Sequence, residues 1–233
     1  MRPGGELATR PLHFIWVADC SISMKTNGKI EALNNAIKQT LPMMREVANE
    51  NPNAEVLVRA LKFSSGASWH IEDATPIDKF NWIDLDASGV TDMGEAFKLL
   101  KDALKIPPMT ERALPPVIIL LSDGQPTDKY REALKDLFKE PWAVKAVRIG
   151  IGIGKAANKK VLKEFINKEG IEPLQADNAY QLIEYIKWAS TAVLKAASSP
   201  ASQIEVIDAF PVNVVLPALP DVITDVISVE DVW

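Results

Sequence analysis

Two hydrophobic rhythms alternate along this chain. In one, nearly every position is apolar for five to seven residues, as in Leu12-His13-Phe14-Ile15-Trp16-Val17-Ala18 and Val117-Ile118-Ile119-Leu120-Leu121. In the other, apolar residues recur at three- and four-residue spacing, as in Ile30, Leu33, Ile37, Leu41 and Met44. The first rhythm suits strands whose two faces are both covered, and the second suits helices with one buried stripe. The strands predicted in this way are 12–18, 55–63, 68–72, 116–122, 144–151 and 171–175, with 68–72 at an edge. Their alternation with helical stretches predicts an α/β fold of Rossmann-like type: a six-stranded, mostly parallel central sheet with helices on both faces.

The remaining helices follow from the same spacing. Phe97, Leu100 and Leu104 mark one, opened by Asp92 as N-cap with Glu95 as its capping-box partner. Leu134, Leu137 and Phe138 mark the next, Leu162, Phe165 and Ile166 a shorter one, and Leu182, Ile186, Ala189 and Val193 the last. Pro42 lies inside the first helix and should kink it, because it removes the bond to the Lys38 carbonyl. Three segments are expected: an N-terminal extension over 1–10, the α/β domain over 11–197, and a Pro/Val-rich tail over 198–233. The tail is punctuated by Pro211, Pro217 and Pro220 and carries Asp221, Asp225, Glu230 and Asp231. It either lies along the domain surface or adds a strand to a sheet edge, on this molecule or a neighbour. Its acids are candidates to visit a neighbouring molecule's site.

Composition narrows the function classes. With 47% hydrophobic and 24% charged residues, 233 residues can build a sizeable core. Twenty-six basic against 31 acidic residues leave a net charge of −5, with no basic cluster of the kind that tracks nucleic acid. A single cysteine excludes an internal disulfide framework. No hydrophobic signal region occurs over Met1–Glu6, and no apolar run reaches the roughly 18 residues of a membrane span. A cytoplasmic protein with no membrane and no nucleic-acid partner is expected.

The candidate chemistry lies where strands end. Asp19-Cys20-Ser21-Ile22-Ser23 closes the first apolar run, Ser88-Gly89-Val90-Thr91-Asp92-Met93-Gly94 leads into a helix, and Ser122-Asp123-Gly124 closes the fourth strand. Asp19, Ser21, Ser23, Thr91 and Asp123 would all sit at the carboxyl edge of a parallel sheet, where ligands bind. Oxygen donors of this kind suit a hard divalent ion, Mg²⁺ or Mn²⁺. Taken singly, Asp19 reads as a turn cap and Asp123-Gly124 as a turn dipeptide. Cys20 reads as a small packed residue and His13 as a strand histidine. Trp16, Trp69, Trp82, Trp142 and Trp188 read as packing, while nothing in the pattern explains Trp233. Gly150-Ile151-Gly152-Ile153-Gly154-Lys155 fails both the phosphate-loop and the dinucleotide spacing, and reads as a strand end with a tight turn.

The D-x-S-x-S, Thr and Asp set resembles the metal-ion-dependent adhesion site (MIDAS) of von Willebrand factor A domains. The resemblance spans about residues 10–196 and meets all five signature positions. It implies a metal-dependent protein–protein interaction module, in which a partner's Asp or Glu completes the coordination of the bound ion. The stretches 88–94, Leu121-Ser122-Asp123-Gly124-Gln125-Pro126-Thr127-Asp128 and Tyr185-Ile186-Lys187-Trp188-Ala189-Ser190 are similar to the bacterial tellurite-resistance TerY type. That likeness implies a scaffold or regulator in a tellurite or stress-resistance system, with a protein phosphatase and a protein kinase as partners. The cysteine-rich zinc tail of some relatives has no counterpart here.

No nucleophile–base pair is evident, so no catalytic residue is assigned and a non-enzyme is expected. Two alternatives stand beside this reading. One is a Mg²⁺-dependent phosphatase or phosphotransferase of haloacid-dehalogenase type using Asp19, although Ser21 stands where its second acid belongs. The other is a structural subunit that binds partners without metal.

Overall fold

The computed structural model describes residues 9–198, 217–219 and 233. Six strands form one sheet: β1 Arg10–Asp19, β2 Ala54–Ser64, β3 Gly66–Pro76, β4 Val117–Ser122, β5 Val147–Ile153 and β6 Leu174–Ala176. Their order across the sheet is β3-β2-β1-β4-β5-β6, and every pairing is parallel except β2 with β3. The mostly parallel α/β architecture expected from the sequence is therefore the one found.

Alternation along the strands divides the core into two layers. Leu12, Phe14, Trp16 and Ala18 of β1 join Val117, Ile119 and Leu121 of β4 on one face, where α1 (Lys29–Glu50) and α6 (Ala179–Trp188) pack. Ile15, Val17, Ile118 and Leu120 point to the other face, against α2 (Met93–Ala103), α3 (Tyr130–Leu137) and α5 (Lys159–Ile166). Covering both faces explains the uninterrupted apolar runs, and each fully buried side chain of this size contributes about 1.5–3 kcal/mol. Trp16 lies wholly inside, edge-on to Phe14.

Several local expectations need correction. Residues 144 and 145 are not strand: Pro141, with its preset φ, opens a short helix α4 (Pro141–Lys145), and β5 begins only at Val147. The last strand is Leu174–Ala176 rather than 171–175, pairing with Ile151–Ile153 alone. Pro42 lies inside helix α1, as expected, and the helix extends to Glu50.

Asp92 stands at the N-cap of α2 but makes no capping bond. Its carboxylate instead accepts the Gly66 N–H at 2.8 Å and the Thr127 hydroxyl at 2.9 Å. Glu95 likewise pairs outward, with Lys98.

The turn expected after 150–153 is present, with Gly154 at φ +77°. Gly152 permits close approach of the loop before α5 and of α5 itself, since a Cβ there would lie 2.8 Å from the Ala157 Cβ and 3.3 Å from Leu162 Cδ1. After α6 the chain passes through a π-helical turn, Ala189–Val193, into α7 (Leu194–Ser198).

The acids named for the tail lie outside the described residues. Of the tail, the Ala218 carbonyl accepts the Trp188 indole N–H at 3.0 Å. Trp233, unexplained by pattern, packs against the core, and its N–H donates to the Asp177 carbonyl. Among the described residues no helix is long and apolar enough to cross a membrane.

Candidate metal centre

The sheet order reverses between β1 and β4, because the chain leaves β1 toward one edge and β4 toward the other. At such a switch point the two outgoing loops diverge and leave a crevice at the carboxyl ends of the strands. Asp19 is the last residue of β1, and Asp123 follows the last residue of β4. Both are buried.

A chain of short bonds joins the two loops. The Ser21 N–H donates to Asp19 Oδ1 at 2.8 Å, and the Ser122 hydroxyl donates to Asp19 Oδ2 at 2.6 Å. Ser21 Oγ and Ser23 Oγ lie 3.0 Å apart, and the Ser23 hydroxyl donates to Asp123 Oδ1 at 2.7 Å. The remaining oxygen, Asp123 Oδ2, accepts from Lys29 Nζ at 2.8 Å. The alternation D-x-S-x-S thus does what a strand end followed by a turn allows: Asp19, Ser21 and Ser23 face one side, while Ile22 is exposed and Cys20 is packed in the core.

Thr91 arrives by a long connection from β3, and the fold holds that connection firmly. Asn34 projects from the buried stripe of α1. Its Oδ1 accepts the Trp82 indole N–H at 3.0 Å and the Leu85 N–H at 2.9 Å, while its Nδ2 donates to the Leu85 carbonyl. Further along, Ser88 N–H donates to the Cys20 carbonyl and Ile22 N–H to the Gly89 carbonyl, lacing this loop to the first. The Thr91 N–H then donates to Thr127 Oγ1 at 3.1 Å, and its carbonyl accepts the Thr127 N–H at 2.9 Å. A Cβ built on Gly124 would lie 3.7 Å from Thr91 Oγ1 and 3.9 Å from Ser23 Oγ. Glycine at this position therefore leaves a gap bordered by hydroxyls from two different loops. All five residues singled out from the sequence lie in this one neighbourhood.

Burial dominates the electrostatics. It pushes the Asp19 carboxyl up to about 6, although hydrogen bonds from Ser122 and Ser21 act in the opposite direction. The Cys20 thiol is pushed up to about 12, mainly by burial and then by the Asp19 charge, which makes it a packed residue and a poor nucleophile. Neither histidine is at the crevice. His13 lies six residues back along β1, about 20 Å at strand rise, and His70 Nε2 is bonded to the Ile83 carbonyl.

Among the described residues no three His, Cys, Asp or Glu gather as metal ligands. The donors that do converge, hydroxyl and carboxylate oxygens, suit a hard cation.

Three of the participants were not singled out from the sequence. Lys29 carried no signal beyond standing next to Ile30. Ser122 was a hydroxyl directly before Asp123. Asn34 was a polar residue inside an apolar helical stripe, and that signal was readable.

The fold is that of von Willebrand factor A domains. The chain superposes on the ArnB paralog VWA2 from Sulfolobus acidocaldarius with TM-score 0.58 at 20% identity, covering 78% of this chain and 45% of that one. It matches proximal thread matrix protein 1 from the mussel byssus, a structure with a zinc-occupied MIDAS motif, with TM-score 0.58 at 15% identity over 80% of this chain and 48% of that one. It also matches the pilus adhesin SpaC from Lactobacillus rhamnosus GG with TM-score 0.62 at 15% identity, over 81% of this chain and 31% of that one. The chain thus spans less than half the length of these proteins. No family model and no curated protein matches the sequence.

Proposed function

We propose that the chain is a metal-dependent protein–protein interaction module, with Asp19, Ser21, Ser23, Thr91 and Asp123 holding one Mg²⁺ or Mn²⁺. The observation that carries this reading is the bonded run from Ser122 through Asp19, Ser21 and Ser23 to Asp123, bordered by Thr91 across the Gly124 gap. The donor set fits a hard ion, since every candidate ligand atom is oxygen and three of the five residues are neutral hydroxyls. Bound there, the ion would supply Lewis acidity toward an outside oxygen, and a partner's Asp or Glu is the natural guest. The chain's own part is to converge these oxygens and hold them with the bonds described.

An interaction role is favoured over catalysis by Asp19 itself. Each of its oxygens accepts one hydrogen bond and the residue is fully buried, so an outside phosphoryl group would have to displace these contacts to reach the nucleophile of a haloacid-dehalogenase-type phosphotransferase. Ser21, which stands at the place of that chemistry's second acid, carries a hydroxyl bonded to Ser23.

We further propose a cytoplasmic scaffold or regulator of the tellurite and stress-resistance TerY type, with a protein phosphatase and a protein kinase as candidate partners. This rests on the motifs at 88–94, 121–128 and 185–190.

Calorimetry with Mn²⁺ on the wild type and on Asp123→Ala tests the site. Capture of partners from lysate with and without chelator tests its use. The reading expects saturable binding lost in the variant and chelator-sensitive capture. Equal Mn²⁺ binding by both proteins would reject the site, and chelator-insensitive capture would favour the metal-free structural subunit.

A further inference from the structure

Lys29 places a positive charge directly against one of the candidate ligands. It is the first residue of α1, set by the left-handed turn at Gly28, where φ is +70°. Its side chain is only 9% exposed, and its ammonium lies 2.8 Å from Asp123 Oδ2. The lysine stem needs room beside β5, and Gly154 supplies it. A Cβ at that position would come within 3.2 Å of Lys29 Cε and 3.4 Å of Nζ. A sequestered ammonium is costly to place, and replacing a buried ion pair by apolar groups is often neutral or stabilising. The pair therefore calls for a reason other than stability.

Charge balance gives one. Asp19 and Asp123 contribute two negative charges, the serines and threonine none, and Lys29 one positive. The set is then one unit negative, and a divalent ion brings it to one unit positive. With a neutral residue at position 29 the loaded set would sum to zero.

We infer that Lys29 sets the charge of this centre, weakening its hold on the cation while keeping the loaded centre electropositive toward a guest carboxylate. The inference rests on the reading of these residues as a metal site and adds to it a determinant of guest affinity. It makes an unusual demand: one substitution should move two affinities in opposite directions. A lysine that merely supports the fold would, when removed, weaken both.

The test uses the full chain with Mn²⁺ alone and then glutarate as a carboxylate probe on the Mn²⁺-loaded protein, both by calorimetry. Lys29→Met and Lys29→Gln remove the charge and Lys29→Arg keeps it, with thermal melts reporting folding. In the neutral variants Mn²⁺ should bind at least ~10-fold more tightly, as expected for losing a unit charge within several ångströms at an effective dielectric near 20. Glutarate should bind the loaded protein at least several-fold more weakly, and Lys29→Arg should stay near wild type in both. Two neutral variants are used so that a folding defect in one leaves the other to decide.

Folded neutral variants with unchanged or weaker Mn²⁺ binding, or unchanged glutarate binding, would overturn the role of Lys29 while leaving the site intact. Wild type and Asp123→Ala alike in failing to bind Mn²⁺ would instead overturn the site, and this inference with it.

Discussion

Asp128 caps a helix that begins 35 residues before it. Its Oδ1 accepts the Gly94 N–H at 3.0 Å and its Oδ2 the Glu95 N–H at 3.2 Å, so the loop after β4 closes the first turn of α2. A carboxylate at this end also faces the positive pole of the helix dipole. Asp128→Ala should cost about 1–2 kcal/mol and lower Tm by roughly 2–8 °C. Asp128→Asn should cost less, because one acceptor oxygen survives, and thermal melts of the two variants side by side check the order.

Asn34 is the post to which the connection carrying Thr91 is tied. Asn34→Ala strands the Trp82 indole and both backbone groups of Leu85 away from their partners. A loss of about 2–4 kcal/mol is expected from buried groups left unpaired. Amide exchange at Leu85 should accelerate well beyond that of β1. A variant as stable as wild type, with Leu85 still protected, would contradict the arrangement.

Gly124→Ala separates folding from binding. The added Cβ meets Thr91 Oγ1 and Ser23 Oγ only at ordinary contact distance. Stability should therefore change by no more than about 0.5 kcal/mol. The methyl nevertheless fills the gap between the two hydroxyls, and Mn²⁺ affinity should fall. Denaturant titration and calorimetry on the same preparation read the two effects apart.

His13 gives the fold an acid sensitivity of its own. Burial, and then the Arg59 charge, lower its pKa from 6.5 to about 4. The unfolded chain therefore takes up a proton that the folded chain refuses. This contribution is complete above pH 6.5 and is lost as pH falls toward 4, at no more than about 1.4 kcal/mol per pH unit. Asp19 acts with the opposite sign, since its raised pKa favours the protonated folded state below about pH 6. That effect is common to wild type and His13→Gln, so it cancels in their difference. Relative to the variant, wild type should lose stability steadily between pH 6.5 and 4, measured by urea melts at several pH values.

The strands were legible because burial on both faces demands apolar residues at every position, a signal that survives without knowledge of the fold. Their ends were less so. Val144 and Lys145 adjoin the apolar run of β5 yet turn helical, because Pro141 sets the preceding backbone, and Ile171 belongs to the loop before β6. Asp92 and Glu95 had the spacing of a capping box, but tertiary partners outcompeted the local bonds: Gly66 and Thr127 took the carboxylate, and Asp128 took the helix terminus. Asp19, Ser21, Ser23, Thr91 and Asp123 could be grouped because each stands where a strand or its loop must surface at one edge. Lys29 could not be added, since only the passage of its side chain beside Gly154 brings it to Asp123.

The bonds from Ser23 to Asp123 and from Ser122 to Asp19 span 100 and 103 residues. No shorter stretch of the chain contains both halves of this crevice, which comes into being only when β4 docks beside β1. An occupant would therefore have affinity for the completed sheet and none for its parts. Each tenfold excess over its dissociation constant would add about 1.4 kcal/mol to the native state as a whole. The centre is, in this sense, a clasp across the middle of the sheet, and what fastens it fastens the entire domain.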